Sequence, residues 1–565
     1  MKNGLERKFI AYSIVTTVAV ILVHALSMLL RKALVPAAPP AAHEFVFAVV
    51  GVMIVAMGLS FRWTGLKARL IGALVVSTAG AAVLAFAVEG LQAAAIAVVL
   101  VGVPAILTAD LIAGRLPAWL DGTLRRAPVK SILWALLMLI TVTQTSRLSS
   151  WVTDQNEEWF ITTDHPLFAG HLCMTAYIYA ADLNRQGIDN VYDRSLYPAM
   201  NPDAEVTTSI ANLHPEDPYQ YPPQFLLLPR LAIALTNDFN VMHIYWLLLQ
   251  ALFFGFIAWS VARFIGGDVG LRAALLIPLL WISFPVLSNL QYGQFHLMSI
   301  MLAVAAMMWF SQGRYHIGGA SLAFAVLSKA APAVLLIYLM ARRRWKEVGW
   351  TLGYVVVFSL LALAVVGPGP YEAFVSYQIP ALQDGSAFAF EKVWPGLRDL
   401  IIAGNQSPFA FVQKLDALGI PGMTLTLAKS THLIYTLGVV VFAFVAARIE
   451  GNRHRRLLIW LALLNLAAMI SKGAWGDYIP IGTIWLMTFM VKDMWTTVRQ
   501  RVLMATMWVF MFLSLGVLPL PGLDDPTVFI SLAAVGMLLT IGFNIWAVYQ
   551  GRQPRRVPVQ TPSRQ

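Results

Sequence analysis

Apolar runs long enough to cross a hydrocarbon core, roughly 20 residues for about 30 Å, recur along most of the chain. Taken in order they predict spans near 9–30, 44–61, 70–88, 91–113, 131–147, 243–263, 273–289, 295–311, 347–367, 431–448, 457–471, 479–496, 501–519 and 527–549, about fourteen in all. The first is too long for the core of a signal peptide, and no small-residue cleavage pattern follows it between Arg31 and Pro40, so it is expected to stay as an anchor. Two segments are too polar to span: 148–222, with an apolar extension at 225–235, and 368–430. Within the first, Met174, Tyr177, Ile178 and Ala181 repeat at helical spacing, which predicts a short interfacial helix near 168–183.

One apolar stretch breaks the alternation of sides. Arg314 precedes 317–340 and Arg342, Arg343 and Arg344 follow it, so both ends belong on the basic side, and the chain must turn round inside. Ser328, Lys329, Ala331 and Pro332 mark the break, which predicts a re-entrant pair of short helices with Lys329 at its apex. A lysine at such depth is costly unless it faces a partner or a wet cavity, so Lys329 is a functional candidate; a lysine snorkelling from a helix end is the competing reading.

Composition agrees with a bilayer as main solvent. Of 565 residues, 58% are hydrophobic and 12% charged, about half the charged share of a soluble protein. A single cysteine, Cys173, excludes an intramolecular disulfide and any thiolate metal cluster. The net charge of +11 would suit nucleic acid were it clustered, but the Lys and Arg residues are dispersed over short loops. Arg62, Lys67, Arg125, Arg126, Lys130, Arg453, Arg455, Arg456, Arg499, Arg501, Arg552, Arg555 and Arg556 all fall on one side, which is expected to be cytoplasmic with both termini, and a nucleic-acid partner is the weaker reading, so none is expected. The expected architecture is an all-α polytopic membrane protein. Its parts are a four-helix extension over 1–125, a core over 126–500 with outer loops 148–222 and 368–430, and a helix pair with a basic tail over 501–565.

The chemistry-bearing residues gather at the opposite, outer rim. Asp154, Glu157, Glu158, Asp164, His165 and His171 follow the fifth span, and Tyr219 to Pro223 precede the sixth. Asn289, Gln291, Tyr292, Gly293, Gln294 and His296 occupy another outer turn, and Lys472, Trp475 and Asp477 a later one. Amides and acids bond hydroxyls, aromatic faces stack on sugar rings and cations offset phosphate, so this set suits a phosphorylated carbohydrate. A transporter or a lipid-linked oligosaccharide flippase would instead collect polar groups near the midplane in matching halves. A ligase that moves a whole glycan is a further alternative.

Several short patterns carry a resemblance. Tyr219, Gln220, Tyr221, Pro222 and Pro223 resemble the Y-x-Y-P-P segment of the C-type glycosyltransferases grouped as family 87, the polyprenol-phosphate-mannose-dependent mannosyltransferase-like family. Gly187 with Val191, Tyr192 and Asp193 resembles its G-x(n)-Y-D element, and Gln291 to Gln294 its Q-N-G-Q turn. Gly318, Gly319 and Ala320 through Lys329, Pro332 and Arg343 to Trp345 resemble its A-G-x(n)-K-x-x-P-x(n)-R-R-W stretch, and Asn405, Gln406, Ser407 an N-Q-S triplet. The order over roughly 150–480 makes the set more specific than any member. The resemblance implies transfer of a sugar, a hexose such as mannose, from a polyprenyl-phosphate donor to a lipid, glycan or protein acceptor on the outer face of the plasma (inner) membrane. Inversion is implied, and no metal or other cofactor is expected.

Such a reaction needs a carboxylate to take the acceptor proton and cations to stabilise the departing phosphate. Asp164 is the expected base; a cap on a helix opened by Pro166 competes with that role. The family's loop aspartate aligns with Cys173, nine residues further on, and Asp154, Glu157 and Glu158 remain competitors. Lys329, helped by Lys472 and Arg230, is expected on the donor phosphate. His171, Tyr221, Gln291, Gln294, His296, Trp475 and Asp477 are expected on the sugar or the acceptor. For His171 and His296 a packed, internally bonded ring competes, and for Trp475 an interfacial belt position. Family members often place a histidine after the S-P-x-x-W pattern, and Ser471 to Tyr478 contains none.

Overall fold

The computed structural model describes residues 148, 152 and 173–550, apart from 216, 268, 271–272, 274–275, 394, 477–478, 495–496 and 514–524. The first five expected spans, together with Asp164, His171 and Asp477, lie outside the described residues.

Regular structure there is helical, and two isolated β-bridges, Ala211 with Asp238 and Asn405 with Trp475, are the only strand-like pairings among the described residues. The helices used below are α1 (Cys173–Arg185), α2 (Leu227–Leu235), α3 (Phe239–Ile265), α4 (Phe284–Gln291), α5 (His296–Ser311), α6 (Tyr315–Ser328), α7 (Ala333–Ala341), α8 (Trp345–Val366), α9 (Pro408–Ala417), α10 (Leu425–Ala447), α11 (Arg453–Ala468), α12 (Ile481–Met494), α13 (Val498–Leu513) and α14 (Pro526–Gln550).

Four helices are long and apolar enough to cross a membrane: α3, α8, α10 and α14, with mean hydropathy between 1.8 and 2.1. Local signals set their ends. Asp238 caps α3 by accepting the Val241 N–H at 3.2 Å, and Gly266 stops it with φ +65°. Thr424 caps α10 on the Leu427 N–H, and Gly367, φ +78°, ends α8. Burial divides these helices into inner and outer ones. The apolar window of α3 is 61% buried, that of α8 17% and that of α10 22%. Val356, Leu360, Leu361 and Val365 on α8 and Leu433, Ile434, Leu437 and Val441 on α10 therefore stand exposed, which in water would be a large liability and in acyl chains is none. The chain is a multi-pass membrane protein.

Two expected features change. The span expected over 273–289 is interrupted: a short helix Ile277–Trp281 stops at Ser283, and Pro285 opens α4. Proline is tolerated in the first turn because its missing N–H has no partner there. The span then bends by 113° between α4 and α5, at the Gln291 to Gln294 turn. The expected break in 317–340 is present: α6 ends at Ser328, Lys329 is extended at φ −148°, ψ 134°, and Pro332 precedes α7. α6 packs between α5 and α8, while α7 packs on α10 and α11. The polar stretch 368–430 is a string of short helices that includes α9.

Candidate functional site

The bent turn is anchored first. Gly293 adopts φ +61°, and a Cβ there would stand 2.6 Å from Met174 Cβ. Three bonds fix this close approach: Met174 N–H donates to Tyr292 O at 3.1 Å, Trp246 Nε1 to Gly293 O at 2.9 Å, and Asn289 Nδ2 to Gln294 O at 2.8 Å. Gly293→Ala should therefore lower stability by about 2–4 kcal/mol, from left-handed strain plus overpacking against α1, read as a fall in apparent melting temperature in detergent. An unchanged melting temperature would mean that the turn moves freely.

Once placed, the turn aims Gln294 at two tyrosines. Gln294 Oε1 lies 2.8 Å from the Tyr177 hydroxyl and 2.6 Å from the Tyr221 hydroxyl, which are themselves 2.8 Å apart. Its Nε2 lies 3.1 Å from Cys173 Sγ. Burial, then the nearby Cys173, pushes the Tyr221 phenol up, so it stays a proton donor. The Tyr221 ring packs edge-on against Tyr177 at 4.8 Å, and Lys329 Nζ lies 5.4 Å from the Tyr221 ring centroid.

A second group comes from the other half of the chain. Asn405 Nδ2 donates to Lys472 O at 2.6 Å, Ser407 Oγ caps α9 on the Ala410 N–H, and Gly476 N–H donates to Gly404 O. The N-Q-S triplet is thus the clasp that holds the Lys472 to Trp475 loop. Lys472 Nζ donates to Gln383 O and lies 5.1 Å from the Phe409 ring centroid. Burial, then Lys429, lowers its pKa, while Asp384 opposes the shift.

Beneath the clasp, the fully buried Lys414 donates to Asn405 O, and burial lowers its pKa from 10.5 to about 7. Between pH 7 and about 10 the unfolded chain keeps this proton while the folded chain has lost it, so folding releases the proton and stability rises with pH. Melting curves taken at pH 7 to 9.5 should show this rise, and Lys414→Met should flatten it; an equal slope in the variant removes Lys414 as the source.

The two groups face one cavity of ≈ 550 Å³. Of the residues expected from the sequence, Tyr221, Gln294, His296, Lys329, Lys472 and Trp475 line it together. Gln291 is buried at the end of α4 and is not among the lining residues, and Arg230 lines a different cavity with Arg185. Two ionisable lining residues were not singled out from the sequence. Asp217, 6% exposed, stands two residues before Tyr219, and His432 sits in the third turn of α10. The acid's closeness to the Y-x-Y-P-P run was a usable signal for Asp217; His432 offered none inside an apolar helix. The cavity thus combines two lysines, a carboxylate, amide and phenol groups, and the rings of Phe374, Phe388, Phe390 and Trp475. Hydroxyl-rich rings and phosphate are what such a lining can hold.

Residues 219–472 match the model of Glycosyltransferase family 87. No curated protein and no solved structure matches the chain. The family 87 segment supplies Tyr221, Gln294, His296, Lys329, His432 and Lys472 to the cavity, while Cys173, Tyr177, Asp217 and Trp475 come from its flanks. The match implies a membrane glycosyltransferase, with a sugar donor and an acceptor.

Proposed function

We propose that the protein transfers a hexose, with mannose as one candidate, from a polyprenyl-phosphate donor to an acceptor hydroxyl at the extracytoplasmic face of the plasma membrane. The bundle would have about fourteen spans, both termini in the cytoplasm and the cavity toward the outside, in keeping with the one-sided Lys and Arg loops. The observation that carries the reading is the meeting of Lys329 and Lys472 with Asp217 and four aromatic rings in one cavity. A carrier lipid needs its phosphate beside cations and its sugar beside rings and hydroxyl partners, and this lining offers both.

In the transfer, the acceptor oxygen attacks the anomeric carbon as the bond from that carbon to the phosphate oxygen breaks, with inversion. Asp164 takes the acceptor proton, and the electron pair leaves on polyprenyl phosphate, whose charge Lys329 and Lys472 offset. Asp217 accepts from hydroxyls of the bound sugar or acceptor, and Gln294 and Tyr221 hold further hydroxyls. Trp475 offers a ring face. His171 and Asp477 complete the acceptor side.

Purified full-length protein incubated with polyprenyl-phosphate [14C]hexose and a membrane lipid extract should release unlabelled polyprenyl phosphate as label passes to a new product. Donor that crosses a vesicle bilayer without being consumed would favour the flippase reading instead.

A further inference from the structure

A second cavity, also ≈ 550 Å³, lies between α2 and α8 on the outside of the bundle. Its walls are apolar: Leu227, Leu228, Leu231, Phe324, Leu361 and Val365 are among them. Leu231, Leu361 and Val365 are 58%, 50% and 42% exposed, so the groove opens toward whatever surrounds the bundle. At one end stand two guanidiniums, Arg185 and Arg230. Arg185 donates to Asp182 Oδ1 at 2.6 Å, and that carboxylate also accepts from Thr208 Oγ1 at 2.8 Å and from the Ser209 N–H at 3.0 Å. Asp182 is therefore committed to the loop. The Nη1 of Arg230 is buried and has no hydrogen-bond partner among the described residues.

We propose that this groove seats an anionic glycerophospholipid of the surrounding bilayer, its phosphodiester on Arg230 and Arg185 and an acyl chain along Leu231, Leu361 and Val365. The charge balance and the lining together favour this occupant. Among the described residues, Arg185 and Asp182 are the charged groups that act on Arg230, so two guanidiniums and one carboxylate leave a single positive charge. A phosphodiester carries one negative charge, whereas the monoester released after transfer, polyprenyl phosphate, carries nearly two at neutral pH; the sugar-bearing donor is a phosphodiester too, but the groove lines up no amide, phenol or carboxylate for its hexose. The buried Nη1 of Arg230 supplies the donor for one phosphoryl oxygen, and bidentate geometry favours arginine over lysine for this contact. α8 exposes apolar side chains along its length, so an acyl chain reaches the groove without leaving hydrocarbon. The seat lies outside the lysine-lined cavity, so its occupancy does not depend on the transfer reaction.

Native mass spectrometry of the full-length protein, delipidated in detergent and re-equilibrated with defined lipids, tests this. Phosphatidylglycerol should leave one adduct that resists activation. Phosphatidylcholine of the same chains should be retained at least tenfold less, because its choline cancels the charge. Arg185→Gln with Arg230→Gln should reduce phosphatidylglycerol retention roughly tenfold or more. If the double variant does not purify folded, Arg230→Gln read against Arg230→Lys answers the same question, with lysine expected to retain part of the binding. Equal retention of the two phospholipids, an unchanged adduct in the glutamine variants, or preferential occupancy by added polyprenyl phosphate or its hexose-bearing form would each overturn the assignment.

Discussion

Replacing Asp164 with Asn should lower kcat for sugar transfer about 10²- to 10⁴-fold and leave the affinity for the lipid-linked donor nearly unchanged. Amide and carboxylate have almost the same shape and both accept hydrogen bonds, but the amide cannot take a proton from the acceptor hydroxyl. Asp217→Asn should behave differently. A carboxylate that only accepts from sugar hydroxyls loses charge-assisted bonds, worth about tenfold in affinity, so KM rises more than kcat falls. Both variants are measured with the labelled polyprenyl-phosphate donor, and donor binding is read separately by quenching of Trp475 or its neighbours. If Asp217→Asn produces the large kcat loss and Asp164→Asn leaves turnover within a few fold, the base is the carboxylate that lines the cavity. A loss in neither variant would point to Asp154, Glu157 or Glu158.

How far this site could be read from the chain differs from residue to residue. The break around Lys329 was legible because a lysine and a proline interrupt an apolar stretch whose two ends both carry arginines, and the structure has a helix end and a helix start there. The interruption at Ser283 was not legible. Proline is tolerated in membrane helices, so Pro285 gave no stop signal within a continuous apolar run. The expected short helix near 168–183 was placed from apolar periodicity, and the described helix is Cys173–Arg185; its end is set by Gly187 at φ +87°. Asp217 escaped notice for a different reason. An acid in a proline-rich loop ordinarily faces water, and only the folding of 217–223 against the Gln294 turn and the α6 break turns that loop into a cavity wall. Arg230 shows the limit of a one-dimensional reading: a basic residue in an outer, apolar helix could be assigned to the rim but not to a side of it, and α2 carries it to the groove behind the cavity. The N-Q-S triplet was recognisable as a pattern, yet its role as a clasp for the Lys472 loop depends on contacts across 67 residues.

Lys329→Met should lower kcat about 10²- to 10³-fold, the scale expected when one preorganised charge facing a developing anion is removed. Two features of its surroundings make this the larger effect of the two lysines. The residue is extended at a helix break, so its side chain leaves the α6 cylinder and lines the cavity. Its ammonium lies against the face of Tyr221, which offsets part of its burial without neutralising it. Lys472 donates to Gln383 O and faces the Phe409 ring, so part of its capacity is engaged, and Lys472→Met should cost about tenfold. Because the phosphate gains charge only as the sugar departs, the loss at Lys329 should fall mainly on kcat, with KM for the donor changed much less. Lys329→Arg should recover part of the rate, since charge is kept but the compact ammonium is replaced by a planar fork. Turnover within threefold of the parent in Lys329→Met, or a loss carried wholly by KM, would make Lys329 a snorkelling lysine at a helix end and leave the departing phosphate to Lys472.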